Sequence, residues 1–444
     1  MRSTFMTVFS AILTLAGTAF AQAQDDDATR MFLPVHEADN LARTRMLVDA
    51  DGGIHMALPS ITGNGFHYGY CAPGCSGNEQ VSEVRFGTES NGVGLALALD
   101  PQGRPHILVD DYLGLQYAWC SGDCTAESGW NVGTLATYDV PDFEITGDAL
   151  AIGPDGRAHF LQHARREIFS SGHSTWYATC ADNCHQAGNW QRQLIEPDQS
   201  YLYPSLAVRS DGALVAGVLA SANPDLGLEN PITAYMECRE NCTDGANWNG
   251  VGLVDAHDPW WSQDVPGAVV LRLTADGSPR MTSRALLEDG TVLLAWMACD
   301  AADCLADDAW HMEGLVDSSE RDFDSGLHLA LDDAGRPHIA YAVSGNILQA
   351  NCTADCSNSG SVWDLSLVES GSDIEADDIF LYTNCVIGAW FLKDPQIGLL
   401  PDGRMAALYT AEDYSFGGVN PDPTKPSCPV GIDMSLGRLS LLDF

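Results

Sequence analysis

Basic residues are scarce in this sequence. Of its 444 residues, 61 are acidic and 21 are lysine or arginine, which gives a formal net charge of −40 at pH 7. The lysines are Lys393 and Lys425 alone. Proteins that bind nucleic acid neutralise phosphates with lysine and arginine, so this balance argues against a nucleic-acid partner. It argues equally against an anionic membrane surface, and it is compatible with divalent cations, neutral glycans, basic partners or plain solubility.

The sequence also lacks the patterns that mark helices, membrane spans and several enzyme classes. Helical periodicity is nearly absent, and no apolar run is long enough to cross a bilayer. There is no Gly-x-Ser-x-Gly elbow, no His-Glu-x-x-His motif and no phosphate-binding glycine loop. No catalytic constellation stands out. Carboxylates are nevertheless plentiful, so the paired acids of a glycosidase or the His/Tyr pair of a lyase remain an alternative.

The start of the chain has the features of an export signal. Met1-Arg2 precede an apolar run over residues 5–19, and an Ala-x-Ala exit follows at 21–23. The run is shorter than a membrane span, so the pattern predicts a secretory signal peptide over 1–23 rather than an anchor. We expect a periplasmic or secreted protein without membrane insertion. Residues 24–43, which begin QDDDATR, predict a disordered leader and entry segment.

The 14 cysteines are distributed mostly as close pairs. Zinc sites usually use Cys-x2-Cys, with one pair meeting another, whereas three or four residues separate these pairs and each pair stands alone. With an export signal, this spacing favours disulfides. The expected bridges join Cys71 with Cys75, Cys120 with Cys124, Cys180 with Cys184, Cys238 with Cys242, Cys299 with Cys304, and Cys352 with Cys356. We expect the remaining two, Cys385 and Cys428, to pair with each other and close the last repeat.

A repeat of four short strands runs through the chain. Residues 95–135 contain two apolar runs around a Pro-Gln-Gly turn, a third run that ends in Cys-x3-Cys, and a fourth that opens with Trp. Glycines of equivalent turns recur seven times, at intervals of 51 to 68 residues. They are Gly52, Gly103, Gly156, Gly212, Gly277, Gly335 and Gly403. Four strands per unit and seven units predict an all-β protein, a seven-bladed β-propeller over 44–444 with one short-loop disulfide in most blades. A β-solenoid is the alternative, but its coils are shorter and carry no hairpin turn.

Two further marks stay in phase with the turns. In five of the six pairs an aromatic residue stands three positions before the first cysteine, with Gln349 as the exception. In five pairs a tryptophan follows the second cysteine, with Val81 in its place in the first unit. These rings predict packing between blades rather than ligand contacts. Histidines also recur three residues after the turn glycine, as His55, His106, His159 and His338. Equivalent positions lie a full blade apart, so we interpret these histidines as packed and hydrogen-bonded rather than as metal ligands.

The Asp-x-x-Gly-Arg-Pro-His-Ile run, present at 100–107 and 332–339, resembles repeats of secreted bacterial propellers in the broad sialidase-like group. The resemblance implies the propeller architecture. The Ser-x-Asp-x-Gly-x-Thr-Trp boxes and the Arg-Ile-Pro segment of sialidases are absent, so sialidase catalysis is not implied. Related propellers include polysaccharide lyases, lectins and scaffold modules, and the repeat does not choose among them.

Propeller geometry assigns the loops to two faces. With strands lettered A to D from hub to rim, the A–B and C–D turns share one face, and here they carry the glycine turns and the disulfides. The B–C loops and the D-to-A crossings share the opposite face, which we call the crossing face. Aromatic and basic residues gather in those irregular loops and predict a sugar-binding surface. They are His163, Arg165, Arg166, His173, Trp176, Tyr201, Tyr203, Trp260 and Trp261. The competing interpretation is salt bridges with neighbouring crossings.

Acidic residues mark most of the crossings. Convergent carboxylates suit Ca²⁺, which takes six to eight oxygen ligands. The candidates are Asp142, Asp258, Asp322, Asp324, Asp377 and Asp378, although aspartates also cap turns and keep an acidic protein soluble. The sequence favours an exported module that binds a glycan or a surface protein through the crossing face. The alternative is a polysaccharide-degrading enzyme, a lyase or glycoside hydrolase, with its site at the same channel mouth.

Overall fold

The computed structural model shows a seven-bladed β-propeller, as the sequence predicts. It describes residues 28–34, 40–63, 65–88, 94–110, 114–137, 143–144, 148–165, 173–196, 199, 201–223, 228–256, 268–306, 308–318, 326–374, 387–418 and 427–443. Within these ranges the chain forms seven antiparallel sheets, one for each blade. No helix of the described chain is long and apolar enough to cross a membrane.

The strands follow the repeat closely. They are β1 (Thr29–Leu33); in blade one β2 (Arg45–Val48), β3 (Ile54–Pro59), β4 (Gly65–Cys71) and β5 (Val81–Gly87); in blade two β6 (Gly94–Leu99), β7 (Pro105–Asp110), β8 (Gly114–Cys120) and β9 (Trp130–Thr137); in blade three β10 (Phe143–Glu144), β11 (Leu150–Ile152), β12 (Ala158–Arg165), β13 (His173–Cys180) and β14 (Gln191–Glu196); in blade four β15 (Tyr201–Val208), β16 (Leu214–Ala220), β17 (Ile232–Cys238) and β18 (Asn249–Asp255); in blade five β19 (Val269–Leu273), β20 (Pro279–Leu286), β21 (Val292–Cys299) and β22 (Trp310–Ser318); in blade six β23 (Leu327–Leu331), β24 (Pro337–Val343), β25 (Asn346–Ala354) and β26 (Val362–Ser370); and in blade seven β27 (Ile387–Leu399), β28 (Met405–Gly418) and β29 (Cys428–Leu442). Short 3-10 turns lie at Asn78–Gln80, Glu127–Gly129, Ala187–Asn189, Gly245–Asn247 and Gly371–Asp373.

The glycine turn joins the first two strands of each blade. In blade two, Gly103 has φ of 74° and donates its backbone N–H to Asp100 O at 2.8 Å. Glycine adopts this left-handed conformation without steric cost. The Asp100 side chain accepts from Gln102 N and Arg104 N, which fixes the turn and hence the register of β6 against β7.

The ring is closed by the two ends of the chain. The sheet of blade seven has the order β27, β28, β29, β1, with Thr29 opposite Leu441 and Leu33 opposite Gly437. Within the predicted leader and entry segment, 24–43, Thr29–Leu33 form strand β1, whose apolar side chains are buried against β29. The last strand, β29, also belongs to blade seven and pairs with β1. The predicted signal peptide, 1–23, lies outside the described residues.

Aromatic rings join successive blades. The ring centroids of Tyr68 in blade one and Trp130 in blade two lie 4.7 Å apart, edge to face. The same contact joins the next blades, where Tyr117 meets Trp190, Tyr177 meets Trp248, Tyr235 meets Trp310, and Trp296 meets Trp363. Each of the first four tryptophans donates its indole N–H to the carbonyl of the cysteine six residues earlier, at 2.6–3.0 Å. The predicted packing between blades is confirmed, and the disulfide loop helps to position the first four tryptophans.

The repeated histidines are buried and hydrogen-bonded, as predicted. Nδ1 of His55, His106 and His159 lies 2.6–2.7 Å from the tyrosine hydroxyl of its own blade. In blade six, Nδ1 of His338 lies 2.9 Å from Asn351 Oδ1. Burial lowers the pKa of His106 and His159 to about 4, so these rings are neutral at physiological pH.

Six disulfides lie in the loops between the third and fourth strands, one in each of blades one to six. They are Cys71 with Cys75, Cys120 with Cys124, Cys180 with Cys184, Cys238 with Cys242, Cys299 with Cys304, and Cys352 with Cys356. The predicted pairing of these twelve cysteines is confirmed.

The predicted pairing of Cys385 with Cys428 involves a residue outside the described ranges, namely Cys385. Cys428 begins β29, the third strand of blade seven. Their pairing with each other remains a prediction.

Candidate functional site at the hub

The structure describes four of the predicted ligand-binding side chains. His163, at the end of β12, is 1% exposed, and its ring centroid lies 6.0 Å from that of Tyr203. Tyr201 donates its backbone N–H to Thr175 Oγ1 at 2.9 Å, beside the half-buried Trp176. The structure therefore gathers His163, Tyr201 and Tyr203 between blades three and four, whereas Trp176 pairs with Gln162 and lies on the opposite face of blade three. Arg166, Trp260 and Trp261 lie outside the described residues, as do the side chains of Arg165 and His173.

The Arg192 guanidinium occupies one face of Trp176. Its Cζ lies 5.5 Å from the indole centroid, and its Nη2 donates to Gln162 Oε1 at 2.9 Å. Such a cation–π contact fixes both side chains. Trp176 is thereby a supported aromatic platform rather than a freely rotating surface ring.

Ionisable side chains from five blades, three of them buried and two partly exposed, meet at the hub on the crossing side of the ring. They are Arg45, Asp148, Arg272, His328 and Asp394, which we call the hub cluster. Four of these lie on innermost strands, and Asp148 lies two residues before β11. The innermost strands of successive blades face one another around the axis, so side chains from distant parts of the chain converge there.

Asp148 is the anionic centre of the hub cluster. Its Oδ2 accepts from Arg272 Nη1 at 2.8 Å and lies 3.5 Å from Ser205 Oγ. Burial alone would raise the pKa of Asp148, but the charge of Arg272, with lesser help from His328 and Arg45, lowers it to about 2. Asp148 is therefore a permanent carboxylate at neutral pH.

His328 is held in the neutral form. Its Nδ1 accepts from the backbone N–H of Ile397 at 3.1 Å, and its Nε2 lies 2.6 Å from Arg272 Nη2. A neutral imidazole has one acceptor nitrogen, so only one of these donors can be satisfied at a time. Burial and the Arg272 charge lower the pKa of His328 to about 3. The ring serves as an acceptor and does not carry charge at neutral pH.

Arg45 and Asp394 are the members of the hub cluster with unsatisfied hydrogen-bonding atoms. They are 3% and 2% exposed, yet Arg45 Nε and Asp394 Oδ1 have no hydrogen-bond partner among the described residues, and neither does the neighbouring Thr44 Oγ1. Burial raises the pKa of Asp394 to about 6, against the opposing charges of Lys393, Arg45 and Arg43. Buried polar atoms normally find partners, so a group of unpartnered ones indicates a place for a polar ligand or water.

Backbone strain gathers at the same place. Arg43, Tyr203 and Asp394 have φ of 55°, 49° and 57°, although none is glycine. Left-handed φ costs a non-glycine residue of order 1 kcal/mol or more, and such residues concentrate at functional sites. At Tyr203 this conformation accompanies a register shift between Leu202 and Ser205, which turns the tyrosine toward His163.

The hub cluster was missed in the sequence because its residues are scattered, but a signal existed. Seven residues before the turn glycine, four blades carry a buried polar residue, and the others carry alanine or valine. The polar ones are Arg45, Ser205, His328 and Gln396. Alignment of the repeats on the turn glycine would have exposed this mixed column.

The predicted calcium ligands remain predictions. Asp142, Asp258, Asp322, Asp324, Asp377 and Asp378 all lie outside the described residues. Within the described ranges, no group of three or more His, Cys, Asp or Glu side chains is arranged to hold a metal ion. The hub cluster contains two arginines beside its two carboxyl groups, so it offers directed hydrogen bonds rather than the set of oxygen ligands that Ca²⁺ requires.

The sequence matches no protein-family model and no curated protein. Similar solved structures include the polysaccharide lyase Uly1, at 9% identity and a TM-score of 0.43, covering 92% of this chain and 90% of that one. They also include an α-L-arabinanase of Penicillium chrysogenum complexed with arabinobiose, at 11% identity and 0.44, covering 77% and 98%. The NanB sialidase of Streptococcus pneumoniae has 9% identity and 0.43, covering 92% and 69%. Likeness at this level leaves function to be argued from the chain's own residues.

Proposed function

We propose that the protein is an exported carbohydrate-binding module whose site is the crossing-side mouth of the hub. The observation that carries the proposal is the hub cluster with its unpartnered Arg45 Nε, Asp394 Oδ1 and Thr44 Oγ1. Sugar hydroxyls both donate and accept, so a fixed guanidinium beside a carboxyl matches them. The aromatic ring of Tyr203, on the innermost strand of blade four, supplies the apolar contact that sugar rings use.

Export is part of the proposal. Six disulfides pin the outer turns of six blades, and disulfides persist in oxidising compartments such as the periplasm and the extracellular space. The low content of basic residues favours neutral glycans over long polyanions.

A glycan array tests the binding proposal. The mature, oxidised protein is applied with and without Ca²⁺, beside Asp394→Asn and a matched control, Asp123→Asn, in the exposed disulfide loop of blade two. We expect a defined glycan to bind the wild type and the control, and Asp394→Asn to lose about tenfold or more, because a buried carboxyl that accepts a sugar hydroxyl becomes an amide. Binding that Asp394→Asn leaves unchanged would refute the hub as the site. Dependence on Ca²⁺ would implicate the crossing aspartates.

A second function rests on a specific observation within the same cluster. The pKa values of Asp148 and Asp394 are displaced in opposite directions, to about 2 and about 6. Carboxyls whose environments separate their pKa values in this way can act as a carboxylate and a general acid in glycoside cleavage. A polysaccharide-degrading enzyme is therefore the competing proposal.

The release of products separates the two functions. A hydrolase would generate new reducing ends from the array-positive glycan, and a lyase would generate unsaturated ends. The binding proposal expects neither with the wild type at protein concentrations that saturate the glycan. Cleavage that both Asp148→Asn and Asp394→Asn abolish would replace it with the enzyme.

A further inference from the structure

The joint between blades seven and one differs from the joints that follow it. At the joint of blades one and two, four rings fill the space near the turn face: His55, Tyr68, Tyr70 and Trp130. Strand register assigns the equivalent positions of the closing joint, because Ala406 pairs with Leu441, Leu408 pairs with Leu439, and Cys71 pairs with Val81. The closing joint therefore has Ala406, Leu439, Leu441 and Val81 in place of four rings.

A cleft lies at this joint, and Leu441, one of the four positions without a ring, lines it. The cleft has a volume of about 220 Å³ and lies between the two glycine turns and the first disulfide loop. Ile54, Leu400 and Leu441 form its apolar floor, and Pro73 and Pro401 form its walls. The turns themselves touch, since a Cβ on Gly52 would lie 2.9 Å from Pro401 Cδ, so the cleft opens outward to the turn face.

The rim of the cleft is acidic. Asp51 and Asp402 are exposed at its edge, and Arg404 is already engaged by Asp402 through its Nε at 2.9 Å. The surrounding protein carries a net charge of −40. An occupant that brings positive charge is therefore favoured over a neutral or acidic one.

We propose that this cleft binds an aromatic side chain flanked by basic residues on a partner protein. Two observations support this choice of occupant. The equivalent space in the next joint holds rings, one of which donates an indole N–H to the carbonyl of the second cysteine, the counterpart of Cys75 here. An apolar cavity of about 150 Å³ accommodates a single aromatic ring, so this cleft has room for one. The acidic rim then selects the flanking arginine or lysine.

The cleft lies on the face opposite the crossings, so this proposal is independent of carbohydrate binding at the hub. It gives the regular face of the propeller a partner of its own. The glycan and the partner protein would occupy opposite ends of the same rigid ring, and neither would obstruct the other.

Labelled peptides test the proposal by fluorescence anisotropy with the full oxidised protein. The probe is acetylated and amidated Arg-Trp-Arg, compared with Arg-Leu-Arg and Glu-Trp-Glu. We expect Arg-Trp-Arg to bind at least about tenfold more tightly than either comparison peptide, since each lacks one of the two required features. Equal binding of Arg-Leu-Arg, or no binding of Arg-Trp-Arg, would overturn the proposal.

Variants locate the binding. Leu441→Trp places in blade seven the ring that Trp119 supplies in blade two, and it should fill the cleft and reduce Arg-Trp-Arg affinity about tenfold or more. Asp51→Asn alters only the exposed rim, and it should reduce affinity between about 1.5- and fivefold. Its matched control is Asp155→Asn, at the same turn position in blade three. The comparison of Asp51→Asn with Asp155→Asn tests the site even if Leu441→Trp fails to fold. If both asparagine variants reduced the affinity for Arg-Trp-Arg equally, the site would be refuted.

Discussion

Two buried charged clusters of this propeller invite comparison. The closure cluster, formed by Arg30, Glu369, Tyr409 and Arg438, ties blade six to the strands of blade seven. Glu369 Oε1 accepts from Arg438 Nη2 at 2.9 Å and lies 3.3 Å from Arg30 Nε, while Oε2 accepts from Arg438 Nε at 3.2 Å and from the Tyr409 hydroxyl. Arg30 Nε makes no hydrogen bond, but it is ion-paired with Glu369. In the hub cluster, Arg45 Nε and Asp394 Oδ1 are buried with no hydrogen-bond partner among the described residues.

The difference teaches how to separate structural charge from functional charge in a repeat fold. Both oxygens of Glu369 are engaged, and the Arg438 guanidinium also lies 4.4 Å from the ring centroid of Phe32. The charges of this network are paired with one another, and its role is to hold the ends of the chain together. The hub cluster contains buried polar atoms without partners, and its backbone includes left-handed residues that are not glycine. Its two carboxyls have pKa values displaced in opposite directions. These features together indicate a binding site.

Removal of the Glu369 charge should have the largest effect. Glu369→Gln leaves the buried Arg438 guanidinium and the partly exposed Arg30 guanidinium without a carboxylate, which costs about 3–5 kcal/mol. We expect this loss in the free energy of unfolding, measured with urea, and unchanged glycan affinity in the folded fraction. The exposed Glu240→Gln is the control. A loss below about 1 kcal/mol for Glu369→Gln would mean that the closure cluster does not hold the ring.

Asp394→Asn should instead increase the free energy of unfolding at pH 7. The pKa of Asp394 rises from 3.8 to about 6 on folding, so the wild type loses stability as pH rises from about 4 to about 6. This difference in the pKa of Asp394 corresponds to about 3 kcal/mol in the free energy of unfolding. The variant should therefore be more stable than the wild type by about that amount at pH 7, and not at pH 3. Asparagine also tolerates the left-handed backbone at this position. Urea midpoints across this pH range give the result, and a variant less stable than the wild type at pH 7 would contradict it.

Asp148→Asn should be destabilising by about 2 kcal/mol at pH 7. The pKa of Asp148 falls from 3.8 to about 2 on folding, because Arg272, His328 and Arg45 outweigh the effect of burial. That stability is present above pH 3.8 and is lost as pH falls through 2. The wild-type and variant unfolding curves should therefore converge in acid. A constant difference between them down to pH 2 would show that the loss comes from packing rather than from charge.

The sequence predicts those parts of the fold that repeat. Turn glycines, paired cysteines and ring positions recur in phase, so seven blades, six disulfides and the packing of Trp130 on Tyr68 follow from the pattern. The closure of the ring does not follow, because Thr29–Leu33 are a single short strand whose partner, β29, lies at the far end of the chain. Nothing local in those residues identifies a strand so distant in sequence.

The site is harder to predict for the same reason. Arg45, Asp148, Arg272, His328 and Asp394 come from five different repeats, so no local motif contains them. Their convergence depends on the circular arrangement of the innermost strands. His163 and Tyr203 could be predicted as site candidates from local composition, but their contact depends on the register shift in β15.

The smallest effect should come from a disulfide on the regular face. Replacing Cys120 and Cys124 together by serine removes a bridge that spans four residues. Loop-closure entropy for so short a loop is worth about 2 kcal/mol or less. Trp130 should retain its contact with Tyr68, since the turn Glu127–Gly129 and the β8–β9 ladder also position it. We therefore expect a modest fall in the urea midpoint and no change in glycan affinity, with the same pair of substitutions at Cys180 and Cys184 as the matched control. If either pair abolished glycan binding, the two faces of the ring would be coupled, and the division between a structural face and a binding face would fail.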